Sequence, residues 1–247
     1  MHKILFHIGP FEVYTYGFFV ATAFIAAMFL IKLDAERRKM RPEIFMDILL
    51  FILVTGLIGS RLLYVIINYD YFKVNPARIF AFRDGGLSIQ GGIVFAALTS
   101  ILFAKFRKIS YFKAADFIVP YVALGQGIGR VGCFFNGCCY GKIIAGGIGV
   151  TFPGESCMRI PIQLYSAAFL LLTFVLLLLY RDQSKKEGAV FLAYLMLYSA
   201  GRSVLDLFRG DNPVIAAGMT LSQLISMGVL VVSVLIWMRF FVDGKHQ

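Results

Sequence analysis

The sequence predicts an all-α fold: a polytopic membrane protein of about seven transmembrane helices, N-terminus outside and C-terminus in the cytosol. Three observations predict it. The 247-residue chain is 59% hydrophobic and only 15% charged, where soluble domains run at about 45–50% and about 25%; mean hydropathy is +0.79. Apolar stretches long enough to cross roughly 30 Å of hydrocarbon, about 20 residues each, recur along the whole chain. Basic residues, the source of a formal net charge of +10, crowd onto alternate connections. In a soluble protein that charge would suggest nucleic acid. Here basic loops that set orientation and lie against anionic lipid account for it, and no nucleic-acid partner is expected. The composition also excludes collagen, disorder and a small disulfide scaffold.

The spans fall in order at about Tyr14–Leu33, Ile44–Ile67, Leu87–Phe106, Ala115–Phe134, Ile162–Tyr180, Ala189–Phe208 and Gly218–Phe241. The first lacks a basic segment directly before it and six more follow, so it reads as a retained span rather than a signal peptide. One set of connections holds 14 Lys and Arg: those at 32–41, 105–113, 181–186 and 239–245. The other set holds 7: Lys3, Lys73, Arg78, Arg83, Lys142, Arg159 and Arg209. The richer set belongs in the cytosol. The longest connection, about Phe135 to Pro161, is external and glycine-rich, long enough for a lid or lateral gate. No repeat or low-complexity tract divides the chain, so residues 1–247 read as a single integral-membrane domain.

Three basic residues, Arg61, Arg130 and Arg202, lie inside spans two, four and six. An ionisable group there costs on the order of 2.5–3.5 kcal/mol and needs a reason. Each falls four to seven residues from the external end, about 6–11 Å below the boundary at 1.5 Å per residue. Snorkelling to the surface explains any one of them. Three at one depth suggest a cationic pocket, and guanidinium is the side chain best shaped for bidentate contact with phosphate. Arg202 and Asp206, four residues apart, are placed to pair along one helix face.

Other polar groups gather at that level. Asp84-Gly85-Gly86-Leu87-Ser88-Ile89-Gln90-Gly91-Gly92 opens the third span. Its glycines suit close helix packing, as small residues do in membranes; the interleaved Asp84, Ser88 and Gln90 are not explained that way. The fourth span ends in a run from Gly125 to Gly141 that carries Arg130, Cys133, Asn136, Cys138, Cys139 and Tyr140.

At these residues the chain resembles the prolipoprotein diacylglyceryl transferase family, bacterial inner-membrane enzymes. The resemblance covers essentially the whole chain. It is carried by Tyr14-Thr15-Tyr16-Gly17, Gly59-Ser60-Arg61, Asp84 to Gly92 and Gly129 to Gly141. Pro161-Ile162-Gln163-Leu164-Tyr165, Tyr198-Ser199-Ala200-Gly201-Arg202 running to Asp206 and Arg209, and Ser222-Gln223 complete it. It implies transfer of a diacylglyceryl group from phosphatidylglycerol to the lipobox cysteine of a prolipoprotein signal peptide, with release of glycerol-1-phosphate. By position it gives Arg130 the phosphatidylglycerol, makes Arg202 a second essential arginine and Tyr16 and Tyr198 site tyrosines, and makes Asn136 the signature asparagine. Arg61, Gln90, Asn136 and Asp206 join Arg130 as the expected substrate-binding set, with the phosphate falling to Arg130 and Arg202 and Arg61 shaping the pocket or bonding to the backbone. No cofactor and no metal are expected.

The chain departs from the family pattern at four places. Cys133 stands where the family has Asn, Cys138 where it has Glu, and Asp206 where it commonly has Glu. Gln90 stands where the family carries a histidine proposed as general base. An amide takes up no proton near neutral pH, so Gln90 is left to orient substrate. Either that histidine is not a required base, or the chain is a divergent paralogue acting on another acceptor. The three histidines, His2, His7 and His246, all lie outside the spans.

Thiolate is the competent form of the attacking sulfur, and a free Cys, pKa about 8.5, is favoured as thiolate beside Arg. An arginine pocket therefore serves twice, holding the leaving phosphate and favouring substrate thiolate. Cys133, Cys138, Cys139 and Cys157 fall at or in the external connection. Disulfides stapling the loop, free thiols, and a metal or redox centre are all open to them. A membrane anion transporter is the rival from another class. It calls for polar residues through the cytosolic half of the spans, which holds little beyond Asp47 and Asp116.

Overall fold

Length and apolarity make helices of these stretches. In the computed structural model, which describes residues 4–9, 11–81, 85–210, 214–216 and 218–239, a helix stands at each predicted span. Two β-strands, β1 (Ile4–Ile8) and β2 (Phe11–Tyr14), form an antiparallel hairpin ahead of α1 (Thr15–Arg37). Then come α2 (Pro42–Ile67), a short α3 (Tyr69–Val74), a 3-10 turn (Pro76–Phe80), α4 (Ile89–Phe106) and α5 (Tyr111–Asn136). The long connection holds three two-residue strands, β3 (Ile143–Ile144), β4 (Val150–Thr151) and β5 (Met158–Arg159), in the order β3-β5-β4. After it run α6 (Ile162–Gln183) and α7 (Ala189–Asp206), the hairpin of β6 (Val214–Ala216) and β7 (Met219–Thr220), and α8 (Leu221–Trp237). Among the described residues, α1, α2, α4, α5 and α6 are long and apolar enough to cross a membrane. This is a helical, multi-pass membrane architecture.

The chain divides into two compact units, residues 31–114 and residues 1–30 with 115–247. In the first, α2 and α4 pack at backbone distance. A Cβ on Gly91 would lie 2.3 Å from the Gly59 carbonyl oxygen, so a larger residue there must push the helices apart. This is the close packing that small residues allow in membranes. Thr99 donates to Thr55 (2.8 Å) across the same contact. At the far ends Arg107 pairs with Asp47 at 2.6 Å.

In the second unit, Val119, Ala123, Leu177, Val190 and Tyr194 form the buried centre between α5, α6 and α7. Asp116 caps α7, accepting from the Gly188 and Phe191 backbone N–H groups at 2.6 and 2.7 Å. A carboxylate on the positive end of a helix is stabilising. Asp47 and Asp116 are thus each engaged within their own unit. The loop after α5 is tied down by backbone bonds. Gly141 N–H donates to Ile160 O (3.0 Å), Lys142 N–H to Phe208 O (2.9 Å) and Gly210 N–H to Tyr140 O (3.3 Å), which fastens the small sheet to the end of α7. Gly141 is required there, since a Cβ would sit 2.6 Å from the Ile160 carbonyl oxygen.

Candidate active site

The end of α7 and the start of α8 supply the anchor. Thr220 caps α8 in a reciprocal arrangement with Gln223 and also donates its hydroxyl to Asp206 Oδ2 at 2.5 Å. The Asp206 carboxylate is fully buried, and its other oxygen faces two cations, Arg202 Nη2 at 3.3 Å and Arg209 Nε at 3.6 Å. Arg202 Nε donates to Ser222 Oγ at 2.9 Å. Its Nη1 group has no partner among the described residues. The residue is thus held by one edge, with donors left over.

Arg130, on the last two turns of α5, makes no hydrogen bond or ion pair with another described residue. Its charge reaches Arg202, Tyr16 and the Cys139 sulfur. Arg209 acts on Arg202 as well. Three guanidinium groups therefore share one neighbourhood with a single buried carboxylate, an excess of positive charge that calls for an anion. Tyr198, stacked on Tyr194 with ring centroids 5.7 Å apart, adds its hydroxyl-bearing ring beside Arg202. Tyr194 is itself fixed by donating to Gln126 Oε1 at 3.0 Å. Tyr16 opens α1, half exposed, beside the α5 end. Asn136 is the last residue of α5 and lies against Cys138.

Residues 3–239 match the family model for prolipoprotein diacylglyceryl transferase. Proteins named phosphatidylglycerol–prolipoprotein diacylglyceryl transferase from Bacillus cytotoxicus, Bacillus cereus and Bacillus mycoides are each 31% identical to the chain over 245 residues. Each alignment spans 95% of this chain and 90% of the relative. The chain belongs to the prolipoprotein diacylglyceryl transferase family.

Within this diacylglyceryl transferase fold, the structure brings Arg130, Arg202, Asp206, Tyr16, Tyr198 and Asn136 into one unit. Arg61 is different. It lies in the other unit, 5% exposed, and its donors go to backbone carbonyls: Nε to Ile79, Nη1 to Gly85 and Gly86, Nη2 to Arg78 and Ala81. A guanidinium has five N–H groups, so none remains for phosphate. Arg61 knots the chain after α3, in keeping with the expectation that it shapes the pocket or bonds to the backbone. Gln90 also belongs to that unit, exposed at the start of α4, its amide oxygen accepting from Ser88 Oγ at 2.8 Å. Asp84 lies outside the described residues.

The third arginine of the cluster is Arg209, which the sequence places among the external loop charges. A signal was present, since Arg209 follows Asp206 by three residues, the spacing of a second partner on one helix face. Thr220 and Ser222 were less legible, because they reach Asp206 and Arg202 only once the hairpin after α7 folds back. The four cysteines are free thiols, Cys133 buried and Cys157 exposed.

Proposed function

We propose that this protein transfers the diacylglyceryl group of phosphatidylglycerol to the lipobox cysteine of prolipoproteins, the first step of lipoprotein maturation. The observation that carries the reading is the pairing of Arg202 and Arg209 with one buried carboxylate while the charge of Arg130 acts on Arg202. Arg130 and the unoccupied edge of Arg202 hold the lipid phosphate, and Asp206 fixes Arg202 and Arg209 against each other. Tyr16 and Tyr198 orient the head group, with Asn136 bounding it. The substrate sulfur attacks a glycerol carbon as the bond from that carbon to the phosphate oxygen breaks. A thioether forms, the thiol proton is released, and glycerol-1-phosphate departs with the electron pair. Charge accumulates on the leaving phosphate ester, where preorganised cations stabilise it.

The setting is the bacterial inner membrane, with the chain acting as one integral-membrane domain of seven spans, N-terminus outside and C-terminus in the cytosol. The helices at 189–206 and 221–237 complete the seven, and the 14-to-7 distribution of Lys and Arg supports the orientation. Asp47 is engaged by Arg107 and Asp116 by the α7 N-terminus, so neither acid stands ready to line a polar path, which disfavours an anion transporter.

The test is transfer from labelled phosphatidylglycerol to a lipobox peptide in membranes bearing the wild type or Arg130→Gln. Wild type should transfer and the variant should not. Retained transfer in Arg130→Gln overturns the assignment of the phosphate to Arg130, and a wild type inactive on the lipobox peptide points to a different acceptor.

A further inference from the structure

The transfer mechanism leaves three sulfurs unused. The Sγ atoms of Cys133, Cys138 and Cys139 lie within 4.8 Å of one another. Their convergence is built by the end of α5. Gly137, at φ +68°, lets its N–H donate to Phe134 O at 3.1 Å while Cys138 N–H donates to Cys133 O at 3.1 Å. This paired closure of a helix C-terminus turns the chain back on its last turn, and it returns Cys138 over Cys133. Cys139 then takes φ +61°, a left-handed conformation unusual for a residue with a Cβ. Such strain persists only where the surroundings over-determine it. Here Gln163, 1% exposed on α6, donates its amide to Cys138 O at 2.8 Å and holds the turn.

A disulfide joins two sulfurs at about 2.05 Å and leaves the third idle. Three sulfurs facing one point suit a soft cation instead, since thiolates select Cu(I) and Zn2+ over hard ions. Sulfurs bound to one ion at about 2.3 Å stand roughly 3.8–4.0 Å apart. The cluster reaches that by closing about 1 Å or less. Arg209 and Arg130 act on the Cys139 sulfur and offset the negative charge of a thiolate set.

We propose that Cys133, Cys138 and Cys139 form a three-thiolate binding site for a soft d10 metal cation, each thiol releasing its proton as it coordinates. The expectation of no metal is revised accordingly. The site does not depend on the transfer reaction, because binding is read without it.

The test uses the full chain purified in detergent under a sulfur-free reductant and titrated with Cd2+ as the spectroscopic probe. A sulfur-to-cadmium charge-transfer band should saturate at one ion per chain. Cys133→Ser, Cys138→Ser and Cys139→Ser should each weaken binding by at least about 10–100-fold, the loss seen when only an outer partner of a metal ligand is removed. Cys157→Ser should bind like wild type. Thermal unfolding in detergent shows which variants are folded, and in wild type Cd2+ should protect the cluster from alkylation while Cys157 stays reactive. A folded, reduced wild type with no saturable band overturns the proposal. So does a band that survives replacement of all three residues, or a disulfide within the cluster when protein is alkylated directly in membranes.

Discussion

Arg61 and Arg202 carry the same side chain within two turns of a helix end, and their two units use it in opposite ways. In residues 31–114, Arg61 spends its N–H groups on five carbonyls of the segment after α3. Its guanidinium also lies 5.4 Å from the Phe72 ring centre and 5.9 Å from that of Tyr64. In the other unit Arg202 is held along one edge by Ser222 and Asp206 and keeps donors in reserve. A place near a helix end therefore says that an arginine has a purpose without saying which. The purpose is decided by how many of its donors the protein itself consumes.

The largest expected effect breaks the comparison on the Arg61 side. Arg61→Lys keeps the charge but has three donors for five carbonyls, so at least two lose their partner. At about 1–3 kcal/mol for each stranded buried group, the loss is a large part of the roughly 5–15 kcal/mol that holds a domain folded. Thermal unfolding in detergent should show a markedly lowered midpoint, while transfer per folded molecule stays near wild type. Unchanged stability with lost transfer would make Arg61 a direct substrate contact.

Arg202→Gln should do the reverse. Removing a donor aimed at developing charge typically costs roughly 10²–10³-fold in rate. Labelled-lipid transfer should fall by that factor, with the midpoint shifted far less than in Arg61→Lys. A fall in stability matching that of Arg61→Lys would make Arg202 structural too, and the contrast between the units would vanish.

How much of this was legible in the sequence follows from the range of the interactions. The helices were, because span length and apolarity are local: α2 begins two residues before its predicted start and ends at the predicted Ile67. Arg202 with Asp206 was, because four residues on a helix fix a shared face. The small strands in the long connection were not. Two-residue strands carry no period, and β3, β4 and β5 exist because Lys142 and Gly141 bond to Phe208 and Ile160, far apart in sequence or across a turn. The Arg61 knot was invisible for the same reason, since its acceptors are backbone carbonyls that any sequence supplies.

Gln90 sharpens the comparison with the smallest effect. Its side chain is exposed at the start of α4 and its amide oxygen accepts from Ser88, so the protein consumes only part of its capacity, as with Arg202. Unlike Arg202 it carries no charge. A single neutral hydrogen bond is worth about 0.5–1.5 kcal/mol, which limits Gln90→Ala to roughly a tenfold loss of transfer. An amide does not titrate in the working range, so the pH profile of the variant should overlay that of wild type. A loss as deep as that of Arg202→Gln, or a shifted profile, would mean that this position carries proton transfer through a bound group. An orienting contact moves the rate slightly and leaves the profile in place.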